Sequence, residues 1–307
     1  MDWYALSTLD DALDETRSLL TPVQLGVWLR LAVVAVFAGG ATGTRNASVS
    51  IEAVPTWGVR NALETAPRLV VLAAIALALF AVLGVVGSVM EFVLVSALRT
   101  RTVGLRRQFA AGFAPGLRLF GFRFALLLVV LVPVAGVVAL LLAALGTESI
   151  TLAVVAVVLV PIAGVLALAA VVTSAATTAF VVPLMQDRGV GVIEGWRTFW
   201  PTLRGELRQF VAYAAVRFAL SVLAGILTSI VAGAFAVPVA LAFSGLALTG
   251  VATIILAAVG VLALLVAFAL LVAVQVPVTT YLRYHSLLVL DASGAAFRLR
   301  PTPDENA

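Results

Sequence analysis

The sequence predicts an all-α integral membrane protein: about six transmembrane helices in three tandem hairpins, each preceded by an amphipathic interfacial helix. Three observations predict it: the composition, the lengths of the uncharged runs, and a hexapeptide pattern written twice. The 307 residues are 63% hydrophobic and 11% charged, with a mean hydropathy of +1.17. A soluble domain is nearer half apolar and a quarter charged, and needs polar residues to cover its outside. Here there are too few, so lipid must do the covering.

A helix crosses the hydrocarbon core in about 20 apolar residues, and six segments qualify. They run from Val23 to Gly43, Leu69 to Leu98, Phe124 to Gly146, Thr151 to Met185, Phe210 to Gly245, and Leu246 to Thr280. The fourth and sixth exceed one straight crossing, so they must tilt, bend or protrude. Pro161, Pro183 and Pro277 offer places to bend, because neighbouring helices can shield a freed carbonyl.

The linkers between the second and third spans and between the fourth and fifth cannot cross. In the second linker Val190, Ile193, Trp196 and Trp200 recur at helical spacing, with Arg188, Glu194 and Arg197 elsewhere round the turn. That pattern predicts an amphipathic helix in the membrane interface. Leu6, Leu9, Leu13 and Leu20 predict another at the N-terminus. Both linkers are rich in arginine, whereas the opposite side has Arg45, Arg60 and Arg68 in a 44–68 loop and Glu148 in a tight turn. The positive-inside rule then places both linkers and both termini in the cytoplasm, in a cell-membrane protein. The acidic N-terminal stretch has no basic region of the signal-peptide kind.

FAPGLR at 113–118 and FWPTLR at 199–204 share the pattern F-x-P-x-L-R. Arg-Thr-Val-Gly (101–104) precedes the first and Arg-Gly-Val-Gly (188–191) the second, and RFAL follows each, at 123–126 and 217–220. A fainter copy opens the chain, with Arg30 eight residues after Pro22, as Arg123 is after Pro115. EFVLVSALR (91–99) also aligns with QVPVTTYLR (275–283). The chain therefore reads as one membrane domain over 1–290, with units of 1–98, 99–186 and 187–290, and a polar tail over 291–307. Pro22, Pro115 and Pro201 are expected to be interfacial corners, where a flat helix breaks and turns into the bilayer.

Charges inside spans are the default functional candidates. Arg30, Arg123 and Arg217 hold corresponding places near the start of each unit's first crossing, and Glu91 is an acid inside a crossing. One reading is a ring of guanidiniums binding a lipid phosphate or another anion through paired hydrogen bonds. The other is that each arginine snorkels to headgroups, with Glu91 paired to one of them as a helix clasp. Ser221-x-x-x-Gly225 and Gly84-x-x-x-Ser88 fit close helix contacts, and His285 with Tyr281, Arg283 and Tyr284 fits an aromatic belt. Asn46-Ala-Ser48 is a glycosylation sequon.

The absence of cysteine excludes disulfides and thiol catalysis, and a lone histidine excludes a histidine metal cluster within one chain. All 19 basic residues are arginine, and their positions beside apolar runs read as topology rather than nucleic-acid binding. No phosphate-binding glycine loop, metalloprotease motif or paired intramembrane carboxylates occur, so neither an enzyme nor a cofactor is expected.

FVVPLMQDRGVGVIEGWRTFW (180–200), closing a tandem hairpin, resembles the YciC-like inner-membrane proteins and the membrane domain fused to some glycerophosphodiester phosphodiesterases. Together with WYALSTLDDALDETRSLLTP, it is most similar to multi-pass proteins of haloarchaea. The resemblance implies a six-helix bundle and transfers no activity, since the phosphodiesterase module of such relatives is separate. Two functions are then expected: organisation of lipid or a protein partner at the cytoplasmic leaflet, with a homo-oligomer among the forms it could take, or passage of a small solute between the units.

Overall fold

The computed structural model describes residues 4–21, 24–42, 59–102, 104–248, 253–294 and Phe297. They form helices α1 (Tyr4–Leu20), α2 (Leu25–Thr42), α3 (Val59–Thr100), α4 (Leu105–Thr147) and α5 (Ile150–Ala176). A π turn (Thr177–Val181) then leads into α6 (Val182–Arg188), followed by α7 (Val192–Gly205), α8 (Leu207–Leu248) and α9 (Thr253–Ala292). Among the described residues there is no strand.

Among the described residues five helical stretches are long and apolar enough to cross a membrane: 70–100, 105–147, 150–188, 207–245 and 258–292. Within α2, Gly26–Ala38 is a shorter apolar helix. The 42 residues of α3 and of α8 extend about 63 Å each, twice a hydrocarbon core of about 30 Å. Half of each long helix therefore lies outside one straight crossing. α3 begins at Val59, inside the stretch expected as the 44–68 loop; the sequon at Asn46 lies outside the described residues.

Burial is concentrated at one end of the molecule, the base. Its core combines Phe92 and Leu98 of α3, Leu119 of α4, Phe180 of the π turn, Phe199 of α7 and Leu287 of α9. Beyond the base the helices continue as apolar legs whose side chains face outward, among them Leu83, Val132, Val165, Ile226 and Leu264. The legs carry the exposed apolar surface that a bilayer would cover.

Local chemistry explains the joints. Glu148 closes α4 in the left-handed region (φ 52°), its N–H bonded to the Ala144 carbonyl, and the Ser149 hydroxyl caps α5 by accepting from the Leu152 N–H. α3 and α4 pack through glycines, since a Cβ on Gly116 would lie 2.8 Å from Val89 Cα.

Several expectations are corrected. Pro115 does not break its helix; α4 runs through it, with Gly112 and Gly116 packed on α3 at either side. Pro201 is likewise inside α7, and the chain turns at Glu206, between α7 and α8. Pro22 lies outside the described residues. On α1 the buried face is Ala5, Thr8, Ala12, Thr16 and Leu20, while Leu6 and Leu13 point out. Small residues let α1 approach α9 closely, and the threonine hydroxyls are satisfied by their own helix, Thr8 on the Tyr4 carbonyl and Thr16 on that of Ala12. On α7 the buried face is Val192, Gly195 and Phe199, whereas Ile193 and Trp200 face outward. Among the described residues nothing lies within 4 Å of a Cβ at Gly225, and Ser221 is exposed, so the close helix contact expected of this pair is not seen there. The tail expected from residue 291 begins by packing back, with Phe297 buried beneath the Arg99 guanidinium, 5.2 Å from its ring centre.

Candidate functional site

Each apolar leg ends in a polar or charged side chain, and at the base these side chains meet. Glu91 ends the uncharged run 69–90 of α3, and Arg123 begins the run 124–147 of α4. Arg217 and Arg283 bound the whole uncharged run 218–282 of α8 and α9. The cluster therefore sits where the legs enter the base.

Glu91 is the hub, with a side chain only 2% exposed. Its Oε2 accepts from Arg283 Nη2 and its Oε1 from Arg123 Nη2, the latter at 3.5 Å. Arg123 also donates to Thr178 Oγ1 at 2.7 Å and to Ser88 Oγ at 3.4 Å. A buried carboxylate without partners would be costly; two guanidiniums remove that cost and tie α3, α4 and α9 together. Arg217 Nη1 donates at 2.9 Å to the carbonyl of Leu282, next to Arg283.

The π turn supplies the fourth wall. The Val182 N–H bonds to the Thr177 carbonyl, five residues back. Thr178 thereby loses its ordinary α-helical donor, and the donor a continued π register would provide belongs to Pro183, which has no N–H. Arg283 Nη1 fills that vacancy by donating to the Thr178 carbonyl. Helix irregularity, proline and buried arginine thus form one device. Trp196 of α7 adds a bond from its indole N–H to Thr177 Oγ1 at 3.0 Å.

Beside it, His285 is fully buried, bonded through Nε2 to the Ala5 carbonyl of α1 at 2.9 Å and stacked on Tyr213 at 5.3 Å between ring centres. The belt expected around His285 is instead part of the core. Four buried polar atoms in this neighbourhood have no hydrogen-bond partner among the described residues: Arg123 Nε, Arg283 Nε, Tyr213 OH and His285 Nδ1.

Of the expected site residues, the structure brings together Glu91 and Arg123, with Arg217 adjoining through α9. Arg30 is exposed on α2 and belongs to no bond of this cluster. Arg283, Thr178, Tyr213 and His285 join the cluster without having been expected there. The signal for Arg283 was its position as the charge that ends the longest uncharged run. Among the described residues no three histidine or acidic side chains gather as metal ligands. Chemically, the cluster can hold a negative group: two guanidiniums share one carboxylate and a third, Arg217, adjoins them through α9.

Fold and site define a multi-helix membrane protein whose spans are tied by a buried arginine–glutamate network at one end. The chain belongs to a family of unknown function, DUF7544, which it matches over residues 3–300. Neither the curated proteins nor the solved structures contain a significant match.

Proposed function

We propose that this is a non-enzymatic, multi-pass protein of the cell membrane that organises lipid or a protein partner at the cytoplasmic leaflet, with its base and both termini on that side. The observation that carries this reading is the imbalance of the cluster. Two guanidiniums pair with the single carboxylate of Glu91 and a third, Arg217, adjoins through the Leu282 carbonyl, where uncharged legs begin, in this reading the depth of phospholipid headgroups. The outward Ile193 and Trp200 of α7, with Arg204 held 4.7 Å over the Trp200 ring, suit the same layer.

In this reading α2 is the sixth span. The chain is then three tandem units: α1 with the α2–α3 hairpin, the start of α4 with the α4–α5 hairpin, and α7 with the α8–α9 hairpin. Transport of a small solute is less well supported, because the polar groups gather at one end of the legs rather than along them. The test is native mass spectrometry of the protein extracted gently from its own membrane. A retained phospholipid or a stoichiometric protein partner is expected, and a bare chain would overturn the proposal.

A further inference from the structure

Among the described residues the α4–α5 and α8–α9 hairpins meet at the base, where α9 packs on the π turn, and scarcely touch along their legs. Immediately past Arg123, Phe124 and Leu127 are exposed on α4, and immediately past Arg217, Phe218 and Val222 are exposed on α8. Each hairpin thus offers a bare apolar surface rising from an arginine. Arg123 keeps 14% of its side chain accessible and Arg217 is half-buried, so neither is sealed inside the base. Arg283 is the most deeply buried of the three, 5% exposed, with its Nε unpartnered and the charges of both Arg217 and Arg123 acting on it.

An occupant of this place needs an anionic head and an apolar body. Another protein helix would supply the body, but it would have to carry a carboxylate at one particular depth. An anionic phospholipid supplies both parts in register, and its phosphate matches the guanidinium fork. A zwitterionic headgroup would bring its own cation against the uncompensated arginines. We infer that one anionic phospholipid per chain binds between the two hairpins, its phosphate held by Arg123 and Arg217 with Arg283 behind them, and its acyl chains laid along α4 and α8. Glu91 is the organiser of this site: it fixes Arg123 and Arg283 and leaves the excess charge for the ligand. The inference rests on the lipid-organising reading above and narrows it to a place and a headgroup class.

The experiment is native mass spectrometry of detergent-purified, delipidated protein titrated with phosphatidylglycerol, phosphatidylcholine or inorganic phosphate. One retained phosphatidylglycerol per chain is expected, with phosphatidylcholine held at least roughly tenfold more weakly. The double variant Arg123→Lys/Arg217→Gln should weaken retention by about tenfold or more, and Arg197→Gln, at an exposed position on α7, should leave it unchanged. Should the double variant misfold, Arg217→Gln alone carries the test, because Arg217 lies outside the Glu91 pairings. Equal retention by a folded Arg217→Gln variant would overturn the site while leaving the lipid-organising reading intact. Equal retention of phosphatidylcholine would overturn the charge recognition. Inorganic phosphate binding as tightly as the lipid would overturn the acyl-chain placement in favour of a soluble anion. If the protein from its own membrane carries neither lipid nor partner, the broader reading fails with it.

Discussion

Arg283 of α9 bonds directly to Glu91 of α3 across 192 residues of chain. Both side chains are withdrawn from solvent, and the same Arg283 also satisfies the Thr178 carbonyl freed by the π turn. One guanidinium therefore holds three elements from the beginning, middle and end of the chain. The apolar legs bury little against one another, so the base is the part of the molecule with enough internal contacts to fix their arrangement.

This makes Glu91 the most sensitive charged position. Glu91→Gln keeps the shape and removes the charge, leaving Arg123 and Arg283 facing each other without an anion. Breaking a buried pair in this way costs about 3–5 kcal/mol. Arg197→Gln disrupts only an exposed pair with Glu194, worth under about 1 kcal/mol. Thermal and denaturant unfolding in mild detergent should separate the two variants clearly. Equal, small effects would show that the Glu91 network does not hold the base.

The all-helical class and the positions of the legs were legible from composition and uncharged run length, because the cost of charge in lipid leaves its mark on any sequence. Glu91 and Arg123 were legible for the same reason. Which way each helix faces was less so. α9 is apolar all round and carries no stripe, so Arg283 and His285 read equally well as belt residues or as core. On α1 the leucines did not reveal the packed face: Leu6 and Leu13 are exposed and Leu20 is buried, and the packing is set by small residues that permit close approach rather than by large ones that fill space. The prolines misled for a related reason: at Pro115 the glycine contacts of α4 with α3 outweigh a local break. Thr178 needed its neighbours placed, since no pattern shows that a carbonyl has lost its donor.

The glycine contact gives a second prediction. At Gly116 an added Cβ would meet the Val89 backbone, at 2.8 Å from Cα and 3.0 Å from N, and backbone cannot yield as a side-chain tip can. Gly116→Ala should destabilise by about 1–3 kcal/mol. Gly121, on the same helix, has nothing among the described residues within 4 Å of such an atom, so Gly121→Ala should be neutral or gain up to about 1 kcal/mol from helix propensity. Melting curves of the two variants check this, and a loss at both positions would contradict the packing.

Orientation is open to direct measurement because the chain has no cysteine. Ser149 caps α5 at the far turn of its hairpin, and Thr198 lies on α7 in the base. Single cysteines at the two positions should react with a membrane-impermeant maleimide from opposite sides, Thr198→Cys from the cytoplasmic side. Labelling of both from one side would overturn the topology.

The last prediction concerns how α1 is held. Tyr4 donates its phenol hydrogen to Glu206, the residue at the turn between α7 and α8, and so ties the first helix to that turn. Burial first, then this hydrogen bond and the charge of the carboxylate, raise the Tyr4 phenol above its usual value of 10.0. The folded state therefore keeps this proton at a pH where the unfolded chain has begun to release it. The resulting stabilisation is fully present below pH 10.0 and is lost as pH rises from there through the higher folded value. Tyr4→Phe removes both the bond and its titration. The melting temperature of the natural protein should exceed that of Tyr4→Phe below pH 10.0, and the gap should close at higher pH. A gap that is independent of pH would mean that the phenol proton is not what fastens α1 to Glu206.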